Sequence, residues 1–441
     1  MRLHSTRNPA WQCNLRQAVS HNLAPDGGLL VPELPRWHDW PELLAMPWPE
    51  RGAEIVVRLA DGDLPEQALR QVAREALDIA APLVALPDGT FVLELWHGPT
   101  CAFKDFGARL LAAMLALVDG PDAPPRTILT ATSGDTGAAV AAAFHGATSA
   151  RAVVLYPAGR VSPLQERQIA GLGGNVLALC VAGSFDDCQA LVKQAFADES
   201  LAQQLRLTSA NSIHIARILA QITYFSQIVA ELAKRGRPDV APVVAVPSGN
   251  FGHLCAALYA KQLGLTLGPL VVATNANATV PDYLDSGQYL PRPSLATLSN
   301  AMDVGAPSNW ERIVHLFAGD WQAMRAGLRW ATCSDEQTRQ ELVRLHNLGY
   351  LADPHGAVAA HALRGQLRPD ETGVFVATAH PAKFAEVVAP LFGQAVALPP
   401  ALQRLAKAPL QREVLANDGR ALRDRLTKWG PGGPIQTDSS R

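Results

Sequence analysis

A chain of 441 residues exceeds what a single hydrophobic core organises, so two domains or more are expected. Apolar residues make up 48% and charged residues 18%, a balance that excludes a disordered chain and suits parallel sheets covered on both faces. Lys and Arg total 38 against 40 Asp and Glu, with no long run of either sign. That excludes an electrostatic footprint for nucleic acid or an anionic membrane and leaves small molecules as the expected partners.

The N-terminal segment lacks the unbroken apolar stretch of a signal peptide, and no uncharged stretch is long enough to span a bilayer, so a cytoplasmic address is expected. Cys13, Cys101, Cys180, Cys188, Cys255 and Cys333 are scattered with no C-x-x-C pair, which argues for buried free thiols and against a disulfide framework or a metal site. Residues 1–90 alternate short apolar pieces with turns and read as an N-terminal cap region. From Phe91 a different rhythm begins, in which short β-rich runs end in turns rich in Gly, Ser or Pro and lead into amphipathic helices. The clearest units pair a strand over 127–131 with a helix over 133–144, 176–181 with 185–196, 243–246 with 252–263, and 374–377 with 381–391. Repeated units of this kind predict an α/β fold with parallel, doubly wound sheets. One apolar stripe, Ile215, Ile218, Leu219, Ile222, Phe225, Val229 and Leu232, predicts a long core helix over 213–234. The expected division is an α/β domain over 91–235, a second over 236–400 and a C-terminal tail over 401–441, whose end after Trp429 reads as disordered or as a cloning remnant.

Open α/β sheets bind ligands at the carboxyl ends of their strands, so the turns between strand and helix carry the chemistry. Ser248, Gly249, Asn250, Phe251 and Gly252 follow an apolar strand and open a helix. Backbone amides and a helix N-terminus there suit a phosphate, while the lack of a Gly-Lys-Ser/Thr ending or a G-x-G-x-x-G disfavours nucleotides. The turn also admits the plainer reading of a tight turn. Ser133, Gly134, Asp135 and Thr136 offer a second anion cradle, or simple N-capping by Ser133 or Asp135. Lys104 stands after apolar residues at the start of a helix expected over 106–117. Partial burial near a helix N-terminus disfavours its ammonium and frees its amine to form a Schiff base with an aldehyde, against the alternative of an ordinary surface lysine. Thr378 ends a buried strand, where a hydroxyl can meet a ring nitrogen of a planar cofactor. Asn211, Ser212 and Arg217 bring amide, hydroxyl and guanidinium groups suited to a substrate phosphate, or else an N-cap with a solvated arginine.

Taken together, the segments HGPTCAFKDFG, TATSGDTGAAVA, YPAGRVSPLQERQI, NSIHIARILAQI, VPSGNFG, ATLSNAMDV and TAHPAKF, in this order, resemble the threonine synthases, pyridoxal-phosphate enzymes of the tryptophan synthase β-subunit-like fold group. The stretch QAVSHNLAPDGGLLVPELP resembles their N-terminal cap. The resemblance implies two doubly wound sheet domains of the fold-type II kind and pyridoxal 5'-phosphate as cofactor. It implies that Lys104 carries the cofactor as a Schiff base, that 249–252 cradle its phosphate, that Thr378 faces the pyridine nitrogen, and that Asp135 lies beside the ring hydroxyl. It further implies Ser133 and Thr136 at the substrate carboxylate, and Asn211, Ser212 and Arg217 at the substrate phosphate.

The implied reaction takes O-phospho-L-homoserine and water to L-threonine and phosphate, the last step of threonine biosynthesis, with domain closure to exclude water until the final step. A serine/threonine dehydratase or another β-replacement on the same fold is the rival, since it needs no substrate phosphate site. His214 stands where the family motif commonly has Asn, and Cys101 where it commonly has an aliphatic residue. His214 is expected either to tune the substrate site or to be satisfied by a neighbouring backbone group. The expected oligomeric state is a monomer.

Overall fold

Alternation along each buried strand sends successive side chains to opposite faces, and here it sorts the apolar residues into three layers. Val244 and Val246 of one strand and Ile128, Ala152 and Val154 of others join a single central core, while Val243 and Ala245 belong to a second layer and Leu129, Val153 and Leu155 to a third. The structure, a computed structural model, describes residues 1–429. The expected reading of the chain end after Trp429 falls outside the described residues.

Two sheets account for this layering. The larger has six strands in the order Leu328–Thr332, Leu270–Thr274, Val243–Pro247, Gly373–Ala377, Phe91–Glu94 and Leu83–Ala85, all parallel except the last. The smaller is parallel throughout, in the order Arg412–Leu415, Val176–Val181, Ala150–Pro157, Arg126–Ala131 and Leu207–Thr208. Ala150–Pro157 is buried along its whole length, as a strand covered on both faces must be. The helix Pro354–Gln366 covers one face of the larger sheet, and the central core lies on the other.

The long helix expected over 213–234 forms as Ile215–Lys234 and runs through the central core, with its first two expected residues outside because His214 is its N-cap. The helix expected over 381–391 is broken into a 3-10 turn, Pro381–Phe384, and a separate helix, Ala385–Phe392. The cap region contributes a three-stranded antiparallel sheet of Gln12–Asn14, Arg2–Ser5 and Leu30–Pro32. It is pinned to the long helix by Arg51, which is buried and donates from Nε to Ser226 Oγ at 2.9 Å. Two connections cross the expected division of the chain. Phe91–Glu94 pairs with Gly373–Ala377, and Arg412–Leu415 adds a parallel edge to Val176–Val181. No described helix is long and apolar enough to cross a membrane.

Candidate active site

Lys104 is the first residue of the helix Lys104–Asp119, which begins two residues earlier than the sequence pattern indicates. Its approach segment is stitched to the turn after Gly373–Ala377: Phe103 N donates to Thr378 O at 2.8 Å, and His380 N donates to Cys101 O at 3.0 Å. Cys101 itself adopts a left-handed backbone, φ 55°, which a side chain tolerates only where neighbours fix it. Thr100 donates from N and Oγ1 to the two oxygens of Asp105 at 2.9 and 2.6 Å, closing the loop in front of the helix. These bonds aim Lys104 into a cavity that it shares with Ser133, Asp135, Thr136, Ser212, Arg217, Thr378 and residues 249–252. Burial holds the Lys104 amine below the usual lysine range, with Lys383 and Arg217 acting in the same direction and Asp135 opposing them.

The phosphate-type turn follows Val243–Pro247 and leads into the helix Gly252–Gln262. Neither glycine has a left-handed φ; that conformation falls to Phe251, φ 61°. Glycine is required at 249 for space, because a Cβ there would lie 2.7 Å from Met302 Cα and 2.9 Å from Ala301 O. Among the described residues the amides of Gly249, Asn250, Phe251 and Gly252 have no hydrogen-bond acceptor, although Phe251 and Gly252 are buried. Four consecutive unpaired amides at a helix N-terminus are an anion cradle, and the tight-turn alternative leaves them unexplained. Ser248 differs from its neighbours: its amide donates to Ala273 O at 2.8 Å and its hydroxyl to Val246 O at 2.9 Å, so it serves the turn itself.

The second turn precedes the helix Asp135–Phe144, whose capping differs from both residues named by the sequence. Thr132 Oγ1 accepts from Gly134 N at 2.9 Å and Gly137 N at 2.8 Å, which leaves Ser133, Asp135 and Thr136 free to line the cavity. Asp135 is 5% exposed, and burial alone would raise its pKa; Lys383 and Lys104 outweigh that and hold it below the usual carboxylate range.

Arg217 is no solvated arginine. It is 1% exposed, donates from Nη1 to Ala210 O at 2.7 Å, and leaves Nε without a partner; burial brings its pKa down to about 10. Nε is itself wholly buried, on the side of Gly107, but the guanidinium lines the cavity with Nη2 unpaired among the described residues, which suits it to an anion. Ser212 lines the same cavity, whereas Asn211 does not; its Oδ1 accepts from Thr130 Oγ1 at 3.0 Å. His214 is fully buried, with Nδ1 accepting from Ala216 N at 3.2 Å and Nε2 3.1 Å from Val19 O, and burial takes its pKa down to about 3. It is therefore neutral and spent on backbone groups.

Sequence reading missed Lys383, Gln165 and His355. Lys383 Nζ lies 2.7 Å from Asp135 Oδ1, Gln165 donates to that oxygen at 2.9 Å, and His355 lines the cavity while accepting from Ala301 N at 3.2 Å. The residues present fit pyridoxal phosphate: a lysine amine kept from ready protonation, a cradle of unpaired amides that a Cβ would fill, and a hydroxyl on Thr378 at a strand end.

Comparison with known proteins agrees with this inventory. The family model "Pyridoxal-phosphate dependent enzyme" matches residues 79–379, "Threonine synthase N terminus" matches 2–77, and "Threonine synthase, C-terminal" matches 356–425. Threonine synthase of Haemophilus influenzae is 47% identical over 430 residues, covering 97% of this chain and all (100%) of that protein. The crystal structure of threonine synthase from Escherichia coli superposes with a TM-score of 0.91 at 45% identity, covering 97% of this chain and 100% of that one. The pyridoxal-phosphate-bound threonine synthase from Brucella melitensis gives 0.90 at 34% identity, over 97% of this chain and 99% of that one. Sequence, fold and cavity agree, and the chain belongs to the threonine synthase family of pyridoxal-phosphate-dependent enzymes.

Proposed function

We propose that the protein converts O-phospho-L-homoserine and water to L-threonine and inorganic phosphate, with pyridoxal phosphate carried on Lys104. The observation that carries this reading is a pair of separate anion places in one cavity: the unpaired amides of 249–252 and the guanidinium of Arg217, whose Nη2 has no partner among the described residues. The reaction needs two, one for the phosphate of the cofactor and one for that of the substrate. When bound, the cofactor supplies a conjugated sink for the electrons released at the substrate carbons. Lys104, freed when the substrate amino group takes its place, takes the proton from Cα and returns protons where the product needs them. Ser133 and Thr136 hold the substrate carboxylate. Arg217 and Ser212 hold the phosphate that leaves from Cγ, and Asn211 steadies that turn through Thr130. Asp135 and Thr378 line the cavity as residues that would hold the cofactor ring, Asp135 at its hydroxyl and Thr378 at its pyridine nitrogen, where a hydroxyl would not keep the nitrogen protonated as a carboxylate would.

Phosphate release and threonine formation from O-phospho-L-homoserine test the reading. Lys104→Ala is expected to lower turnover by more than about a thousandfold. Arg217→Ala is expected to lower kcat/KM for this substrate by about 10- to 100-fold, the range for a lost charge-assisted hydrogen bond. A variant at 217 that keeps its activity on phosphohomoserine, in an enzyme that turns over unphosphorylated serine or threonine well, would make it a dehydratase instead.

The reading includes a monomer, which light scattering of the purified protein checks. The cytoplasm is the proposed compartment, in keeping with six cysteines that are all buried and unpaired.

A further inference from the structure

Asp135 is held by two lysines, and the chemistry above uses only one of them. Lys383 Nζ lies 2.7 Å from Oδ1, while Lys104 Nζ lies 3.7 Å from Oδ2. The Lys383 side chain is 0% exposed, and its ammonium also donates to Thr100 O at 2.9 Å, the carbonyl on which Gln168 Nε2 converges at the same distance. Its backbone is fixed by Lys383 N donating to His380 O at 3.0 Å, within the 3-10 turn that replaces the expected helix. Burying an ammonium is costly unless it is paired, so the charge at 383 is there for Asp135.

We propose that Lys383 is a positioning residue: by pairing with Asp135 it takes up that carboxylate's charge and leaves Lys104 as the free amine that captures the pyridoxal phosphate aldehyde. In that capture the amine lone pair forms the bond to carbon, the aldehyde oxygen departs as water with the two amine protons, and nothing is oxidised or reduced. Without Lys383, Asp135 has only Lys104 to pair with, and the ammonium form of Lys104 gains. The direction of the Lys104 shift agrees: burial lowers it, Lys383 and Arg217 lower it further, and Asp135 raises it. Other titratable groups face the same place. His253 and His355 line the cavity, and Cys101, Asp105 and His380 lie within the field of Lys383. None of these stands between Lys383 and Asp135, whose contact is direct.

The inference rests on Lys104 bearing the cofactor, and the experiment separates the two. Holoenzyme is stripped of cofactor, pyridoxal phosphate is added back, and growth of the visible absorption band is timed across pH. In wild type the rate rises as Lys104 loses its proton. Lys383→Gln is expected to move that midpoint up by about one pH unit or more, slowing capture about tenfold at neutral pH, and Lys383→Arg to restore the wild-type midpoint. Equal midpoints in wild type and a folded Gln variant would overturn the role of Lys383 while leaving Lys104 in place. A wild-type protein with no visible band overturns both. Should the Gln variant fail to fold by circular dichroism, the Arg variant decides alone: a wild-type midpoint supports the role of the charge, and a displaced one rejects it.

Discussion

A carboxylate at position 105 is 1% exposed, and its hydrogen-bond partners are the amide and hydroxyl of Thr100. Burial raises its pKa to about 6, despite those bonds and the nearby Lys383 and Arg109. An acid whose folded pKa is raised costs nothing below the unfolded value, near 3.8, and then costs stability as pH climbs through the folded value. Relative to Asp105→Asn, wild type is therefore expected to lose up to about 3 kcal/mol between about pH 4 and about pH 7, then no more. Unfolding titrations of both proteins across that range measure the gap, and a gap independent of pH would show that Asp105 titrates normally. Residues such as Lys104 and 249–252 were legible in the sequence because chemistry and turn geometry coincide within a few positions. Lys383 was not, because its partner lies across the fold on another sheet and nothing local marks a lysine as buried. Ser248 and Asn211 belong to readable motifs, yet the groups they offer are spent on neighbours that only the folded chain reveals.

Helix starts are where element-level reading was least complete. The sequence pattern places a helix over 133–144, which forms as Asp135–Phe144, and gives its cap to Ser133 or Asp135, since both are good N-cap types. The fold uses Thr132, one residue earlier, whose hydroxyl accepts two amides and so keeps Ser133 and Asp135 available to the cavity. Thr132→Val, close in shape but without the hydroxyl, is expected to cost about 1–2 kcal/mol of stability and to raise KM for the substrate more than it lowers kcat. Thermal melts and steady-state kinetics on the same preparation check both; an unchanged KM would mean the turn keeps its form without the cap. The stripe of Ile215–Lys234 was legible because apolar spacing repeats over five turns, whereas the break inside 381–392 was not. Its apolar positions keep a helical period while a tight turn at Pro381–Phe384 brings Lys383 inward. Arg412–Leu415 escaped for a different reason: a four-residue edge strand with Val414 exposed carries no run of apolar residues to notice.

At the scale of the molecule, parallel sheets were legible from repeated strand-helix units, but not the sharing of one central core between two sheets, because side-chain alternation does not say which neighbour each face meets. That arrangement matters for catalysis. Residues 249–252 and Thr378 extend from strands of the six-stranded sheet, while Ser133, Asp135 and Thr136 extend from the five-stranded sheet, and Lys104 stands in the cavity that both line. On the proposed reading, a substrate held by its carboxylate on one sheet, near a cofactor whose phosphate rests on the other, would draw the two together and expel the water that would intercept the reaction early. Small-angle scattering of the holoenzyme is therefore expected to give a smaller radius of gyration with an unreactive phosphonate analogue of the substrate. Inorganic phosphate, which on the same reading would meet Arg217 without bridging the two sheets, is expected to leave it unchanged. Equal radii with and without the analogue would mean that the cavity is already closed, and that water is excluded by side chains alone.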